Sequence, residues 1–297
     1  MNDVSSMVWS RPPGPVSASL RVYALVNNAG SSMMMEILDR WKPVRWCSLF
    51  DGSPEEGALS AAPLLVELGD LVKPPTPTSA MLMDRIHANL RLSNALIVLH
   101  STLRFDALAT SLRARLDGRL AGGVDVMLRF FDTRVLPALL DTIDDKTRQA
   151  FLCIAEQWMW LDRRGRWQSL RVAAAPVDLH VAPLTLTQQE EDRLVELSEP
   201  DLVLQTLKTS APDLCRSRSD GDLHDVVSDC VTAAHSFGIA NTRQLTLFCM
   251  IGLTEGPRFH EAGNWIEALR LNAGEDDAVM RAYDLVSSGR AATSDVA

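Results

Sequence analysis

Five apolar, β-rich runs separated by segments of helical period constrain the first part of this chain most strongly. VYALVNN (Val22–Asn28), VRWCSLF (Val44–Phe50), LLVEL (Leu64–Leu68), ALIVLHS (Ala95–Ser101) and VDVMLRFF (Val124–Phe131) have the length and composition of strands. Between them, Met33, Met34, Ile37, Leu38 and Trp41 recur at helical spacing, with Ser31 as a candidate N-cap. Met81–Leu92 reads as a second helix, and Phe105, Leu108, Leu112 and Leu116 mark a third. Asp51-Gly52 predicts a turn, and Ser53-Pro54-Glu55-Glu56 a helix start with proline at the first helical position. Lys73–Thr78, with three prolines, predicts an extended loop. Aromatic residues flanking Arg163-Arg164-Gly165 predict a hairpin over Gln157–Leu170. Strands alternating with helices point to an α/β lobe, a mixed sheet with flanking helices.

From Leu184 the texture changes. Thr187 and Glu190 have capping-box spacing, Leu223 to Phe237 repeat with helical period and stop at Gly238, and Asn241 opens a further helix. A last helix is expected from about Glu275 to Ser288. The organisation expected is a flexible lead-in over 1–16, an α/β lobe over 17–183, an all-helical lobe over 184–290 and a tail over 291–297. A chain of 297 residues is long enough for two such cores. Charge divides the same way. Residues 1–184 hold 20 Lys/Arg against 19 Asp/Glu, and residues 185–297 hold 9 against 19, within a net charge of −9. An acidic second half argues against nucleic acid as a partner, because phosphate binding needs clustered cations.

No apolar run approaches the roughly eighteen residues of a membrane span, so no membrane insertion is expected. The N-terminus has no basic region followed by an apolar stretch, so no secretory signal is expected either, and the predicted compartment is the cytoplasm. Five scattered cysteines without a C-x-x-C pair predict buried, reduced thiols.

LVNNAGS (Leu25–Ser31) contains the Asn-Asn-Ala-Gly segment that ends a buried strand in short-chain dehydrogenases. The rest of that chemistry is missing. No Gly-rich turn follows the first strand to cradle a pyrophosphate, and neither Tyr23 nor Tyr283 is followed four residues later by lysine. Asn28 and Gly30 read instead as a strand-to-helix turn that favours positive φ. The six histidines show no metal-ligand spacing, and there is no nucleophile elbow or phosphate loop, so no cofactor, metal or catalytic residue is expected. His100 beside Ser101 at a strand end is the alternative: a hydrolase-like enzyme with a base next to a nucleophile.

The stretch ALIVLHSTLRFDALATSLRARLDGRLAGGVDVMLRFFDTRVLPALLDTID (Ala95–Asp144), with YALV at Tyr23–Val26, SLFDGSPEE at Ser48–Glu56 and APLLVEL at Ala62–Leu68, resembles the adaptor-chaperone family of the bacterial type VI secretion system. The resemblance runs in order over about residues 20 to 150. It implies a non-catalytic protein that binds a cognate toxic effector and loads it onto the spike protein VgrG. The motif residues it singles out, structural or partner-binding, are Asp51, Gly52, Arg129, Asp132 and Arg134. Two positions depart from the family pattern: Leu64 stands where a tyrosine is usual, and Thr133 where a proline is usual. Asp132 is expected to cap the helix that follows and to pair with neighbouring guanidinium groups.

Overall fold

The computed structural model describes residues 7–10, 19–31, 33–41, 44–71 and 73–294, with side chains to residue 288. Two compact units divide it, residues 1–194 and 195–297.

The first unit is built on a six-stranded sheet of β1 (Arg21–Asn27), β2 (Trp46–Ser48), β3 (Pro63–Asp70), β4 (Leu96–Ser101), β7 (Gln157–Leu161) and β8 (Trp167–Arg171), in the order β2-β3-β1-β4-β7-β8. Every neighbouring pair in it is antiparallel. Flanking it are α1 (Met34–Arg40), α2 (Pro77–Leu90), α3 (Phe105–Ala114), α4 (Val135–Thr142) and α5 (Asp145–Leu152). The mixed pairing expected from sequence is confined to a small second sheet. There β5 (Asp117–Arg119) pairs antiparallel with β6 (Asp125–Met127) and parallel with β9 (Leu184–Thr185). The central strands explain the difference. Val22–Val26 of β1 and all of β4 are buried on both faces. A doubly covered antiparallel strand carries the same continuous apolar run as a parallel one.

Local differences have local causes. Ser53 starts no helix: its Oγ donates to Phe50 O and accepts from Glu55 N–H, and the chain turns through Gly57 toward β3. The expected strand over Val124–Phe131 shrinks to Asp125–Met127. Leu128 still donates its N–H to Leu116 O at 2.8 Å and packs over Gly118, where a Cβ would stand 2.5 Å from its Cγ. The chain then turns, with Asp132 N–H on Arg129 O at 2.9 Å. The helix expected from Met81 starts at Pro77, with the Thr76 hydroxyl accepting Ser79 N–H at 3.1 Å. Ser31 does not cap α1, which begins after Met33. Part of the expected lead-in is packed: Val8 is buried and its carbonyl meets His100 Nε2 at 2.8 Å. Residues 1–6 and 11–16 of that lead-in, and 295–297 of the tail, lie outside the described residues.

The division between units falls inside α6 (Gln188–Ser210), whose first turn has the expected capping box: Glu190 Oε2 accepts Thr187 N–H at 2.8 Å. The second unit is helical, with α7 (Pro212–Cys215), α8 (Asp220–Ser236), α9 (Thr242–Glu255), α10 (Gly263–Leu271) and α11 (Ala278–Ser294). Gly238, at φ +75°, ends α8 as expected; Ile239 N–H reaches back to Ala234 O at 3.1 Å. Asn241 caps α9 by accepting Arg243 N–H at 2.9 Å. The core centres on Phe248, Phe259, Trp265, Val227 and Leu207. α8 and α9 close on each other at Gly252, where a Cβ would lie 2.5 Å from Cys230 Sγ. Four of the five free cysteines are buried, and Cys47 partly so. No helix among the described residues is long and apolar enough to cross a membrane.

Candidate partner-binding site

The connection from β2 to β3 leaves the sheet through buried Leu49 and Phe50 and turns at Asp51-Gly52, where Gly52 has φ +74°. Arg113, in the last turn of α3, fixes that connection. Its Nη2 donates to Ser48 O at 2.9 Å, its Nε to Leu49 O at 3.3 Å, and Nη2 stands 3.8 Å from Asp51 Oδ2. Opposite, the β5–β6 hairpin carries the Arg119–Asp125 pair, Nε to Oδ1 at 2.7 Å. The hydrogen bond from Arg119 holds the Asp125 carboxyl below the usual carboxylate range. Together these elements enclose an open pocket of about 570 Å3. Its apolar residues include Leu49, Leu116, Val126 and Met127, and its charged ones are of both signs: Asp51, Glu55, Asp117 and Asp125 with Arg113 and Arg119. An apolar floor under a mixed-charge rim suits protein side chains better than one simple ion.

Of the five motif residues, Asp51 and Gly52 line this pocket. Arg129, Asp132 and Arg134 form a separate group at the entrance to α4. Asp132 is buried and grips Arg134: Oδ1 accepts from Nε at 2.9 Å and Oδ2 from Nη2 at 2.6 Å. Asp132 Oδ1 also accepts the Arg134 N–H at 3.0 Å, but it does not cap α4 as expected. The N–H groups of Val135 and Leu136 go instead to the Asp132 main-chain oxygen. Arg129 is not in the ion pair; its guanidinium lies 5.4 Å from the Phe131 ring centroid. Thr133 is buried and makes two bonds, N–H to Asn94 O at 3.0 Å and hydroxyl to Leu161 O at 2.7 Å.

Residues 22–150 match a family described as "Domain of unknown function (DUF4123)". No curated protein and no solved structure matches the chain. The DUF4123 match runs from β1 to within α5 and contains the five motif residues with Arg113 and Arg119. Pro183 lines the pocket from outside the matched stretch.

One further arrangement was not visible in the sequence. Arg115 of the turn after α3 is fully buried against Asp178, and its only sequence signal was an arginine at the end of a leucine-rich helix. Burial alone would push the Asp178 carboxyl up; the hydrogen bonds and charge of Arg115, with the His180 N–H and Ser111, together outweigh it and hold it well below the usual range. His100 and Ser101 lie on one strand as neighbours, so their side chains point to opposite faces. His100 Nε2 meets Val8 O, and the Ser101 hydroxyl donates to Ile154 O while accepting Leu103 N–H at 3.1 Å. That geometry gives no base–nucleophile pair. Trp158 of the hairpin is buried, while Trp160 and Trp167 are half-buried, Trp167 stacking on His87 at 6.0 Å. Among the described residues, no group of three His, Cys, Asp or Glu side chains is placed to hold a metal.

Proposed function

We propose that this protein is a non-catalytic adaptor that binds a type VI secretion effector in the cytoplasm and loads it onto the VgrG spike. One observation carries the reading. Two segments of the family-like stretch, Leu49-Phe50-Asp51-Gly52 and the arginine-bearing helix α3, are remote in sequence yet meet at one pocket, joined through Arg113. Both lie within the DUF4123 match. An adaptor must hold its cargo and then release it. A pocket with a small apolar floor and a charged rim serves both needs: the floor supplies affinity, and the rim supplies selectivity and a fast encounter. The acidic second unit adds long-range steering toward cargo of opposite charge.

The test is capture. Tagged full-length protein is purified from the bacterium that encodes it, and bound chains are identified by mass spectrometry. One toxin-like chain recovered together with a VgrG protein is the expected result. Folded protein that retains neither would sink the reading. His100→Ala separates the hydrolase alternative, because an adaptor keeps its cargo without that imidazole and a hydrolase loses its turnover.

A further inference from the structure

The second unit has an apolar groove that its own core leaves uncovered. α9 carries two apolar faces. Leu245, Phe248, Cys249 and Leu253 are buried in the core. Leu247, Met250, Ile251 and Thr254 form another stripe at helical spacing and line a groove of about 280 Å3 with Met280 and Tyr283 of α11. Met280 and Tyr283 are each 43% exposed. The two walls are held side by side by Gln244, whose Nε2 donates to Glu275 O at 3.1 Å and whose Oε1 accepts Val279 N–H at 2.9 Å.

Charge says what such a groove can accept. Residues 195–297 hold 8 Lys/Arg against 16 Asp/Glu, while residues 1–194 hold 21 against 22, so the second unit carries nearly all of the net charge of −9. Glu255 lines the groove, and exposed Asp284 lies one helical turn from Met280. Arg243 stands one turn before Leu247, which makes the Glu255 end the acidic one. A second copy of this unit would bring like charge against like, and an anionic lipid surface would be repelled in the same way.

We propose that the groove takes a basic amphipathic α-helix of a partner protein. Its apolar face packs on Met250, Ile251, Met280 and Tyr283, and its lysines or arginines gather over Glu255 and Asp284. Two methionines allow the surface to adapt to differently shaped aliphatic side chains, and the tyrosine supplies a stiff anchor. The helical stripe on α9 matches a ligand that offers its own i, i+3, i+4, i+7 anchors. This inference rests on the second unit alone and does not need the adaptor reading.

The experiment uses the full chain and fluorescence anisotropy. The probe is a labelled leucine–lysine peptide of about eighteen residues, five helical turns, with leucine on one face. Two controls accompany it: the same composition scrambled, and a version with glutamate in place of lysine. The lysine helix is expected to bind at least about tenfold tighter than either control. Met280→Ser with Tyr283→Ala should weaken it about tenfold with the fold retained. Asp284→Lys, at an exposed site, should weaken it several-fold and serves if the double variant unfolds. Equal binding of the glutamate peptide overturns the proposal, as does affinity indifferent to these substitutions. So does a dimer, seen by light scattering, that Tyr283→Ala dissolves, since the groove would then be filled by a second copy.

Discussion

Arg115 and Asp178, 63 residues apart in the chain, form a two-point ion pair with N···O distances of 2.8 and 2.7 Å. Arg115 is fully buried, and its other N–H groups go to Phe151 O, Ser111 O and Ala150 O, so all five donors are used. Asp178 also accepts its neighbour's N–H, from His180, at 3.0 Å. The pair fastens the segment between β8 and β9 to the end of α3. The residues alternating with Asp178 and His180 are left outward, with Val177 65%, Leu179 48% and Val181 80% exposed.

Asp178→Ala strands a buried guanidinium, which typically costs about 3–5 kcal/mol. The lower end applies, because Asp178 keeps 26% of its side chain in water. Urea unfolding should show the loss, and limited proteolysis should cut between residues 173 and 183. Arg115→Met combined with Asp178→Leu removes both charges and should recover much of the stability. A single variant that unfolds at the wild-type midpoint would show that the pair does not hold the segment.

Thr133 occupies a position where the resembling family usually has proline, and its two hydrogen bonds make the exchange costly here. Proline has no N–H for Asn94 O and no hydroxyl for Leu161 O. Each buried carbonyl left unpaired costs about 1–3 kcal/mol, so Thr133→Pro should destabilise by about 3 kcal/mol. Thr133→Val removes the hydroxyl alone and should cost about half of that. Chemical denaturation of the two variants separates the contributions.

Gly30 is required by space rather than by backbone angle. It is not among the glycines of positive φ, contrary to the expectation for this turn, and Asn28 is not left-handed either. A Cβ on Gly30 would sit 2.4 Å from Ala95 Cβ and 3.1 Å from Ser93 Cβ. Gly30→Ala should therefore cost about 1–3 kcal/mol by overpacking, and Ala95→Gly in the same chain should return part of it. The Asn-Asn-Ala-Gly segment is thus a tight crossing of the β1 exit over the start of β4. Thermal unfolding of the single and double variants measures the coupling; strict additivity would contradict it.

What the sequence made legible was local. The runs that became β1, β3 and β4, the β7–β8 hairpin, and the helix ends at Thr187, Gly238 and Asn241 each carry their signal within a few residues. Strand direction was not legible, since β1 and β4 are covered on both faces and show no alternation. Nor was the fate of Ser53, where a local capping pattern loses to the need to enter β3 at Pro63. The pocket was half legible. Asp51 and Gly52 were named by motif, but Arg113, Arg119 and Pro183 come from elements that no local pattern brings together. Among the motif residues, Arg129 and Asp132 looked like partners, but Arg134 takes both carboxylate oxygens and Arg129 lies over the Phe131 ring.

Acid should loosen the first unit before it reaches the carboxylates. Burial pushes the His100 and His180 imidazoles below their ordinary value. In the unfolded chain these rings take up protons near pH 6.5, whereas in the folded protein they do so only lower. The unfolded state therefore binds more protons in that interval. The stability is complete above about pH 6.5 and is lost as pH falls through the folded values. Asp178 acts lower still: its depressed carboxyl contributes above the ordinary carboxylate range and gives way only in strong acid. Unfolding midpoints should fall between about pH 7 and 5. His100→Gln keeps an N–H for Val8 O and should flatten part of that slope. An unchanged slope would assign the acid sensitivity to other groups.

The two clusters of motif residues should separate stability from capture. Pro54 is exposed and Glu55 partly so, on the pocket rim, and neither anchors the fold. Pro54→Arg with Glu55→Lys reverses charge at the mouth without disturbing Arg113, and should reduce captured partner about tenfold with an unchanged unfolding midpoint. Arg134→Met does the opposite. It leaves the Asp132 carboxylate, 3% exposed, without its guanidinium, and should cost about 3 kcal/mol while folded protein still captures its partner. Quantitative mass spectrometry of bound chains, paired with denaturation of each variant, reads both effects. If Arg134→Met abolishes capture at full stability and the rim variant captures normally, the partner site lies at the entrance to α4 and the pocket is incidental.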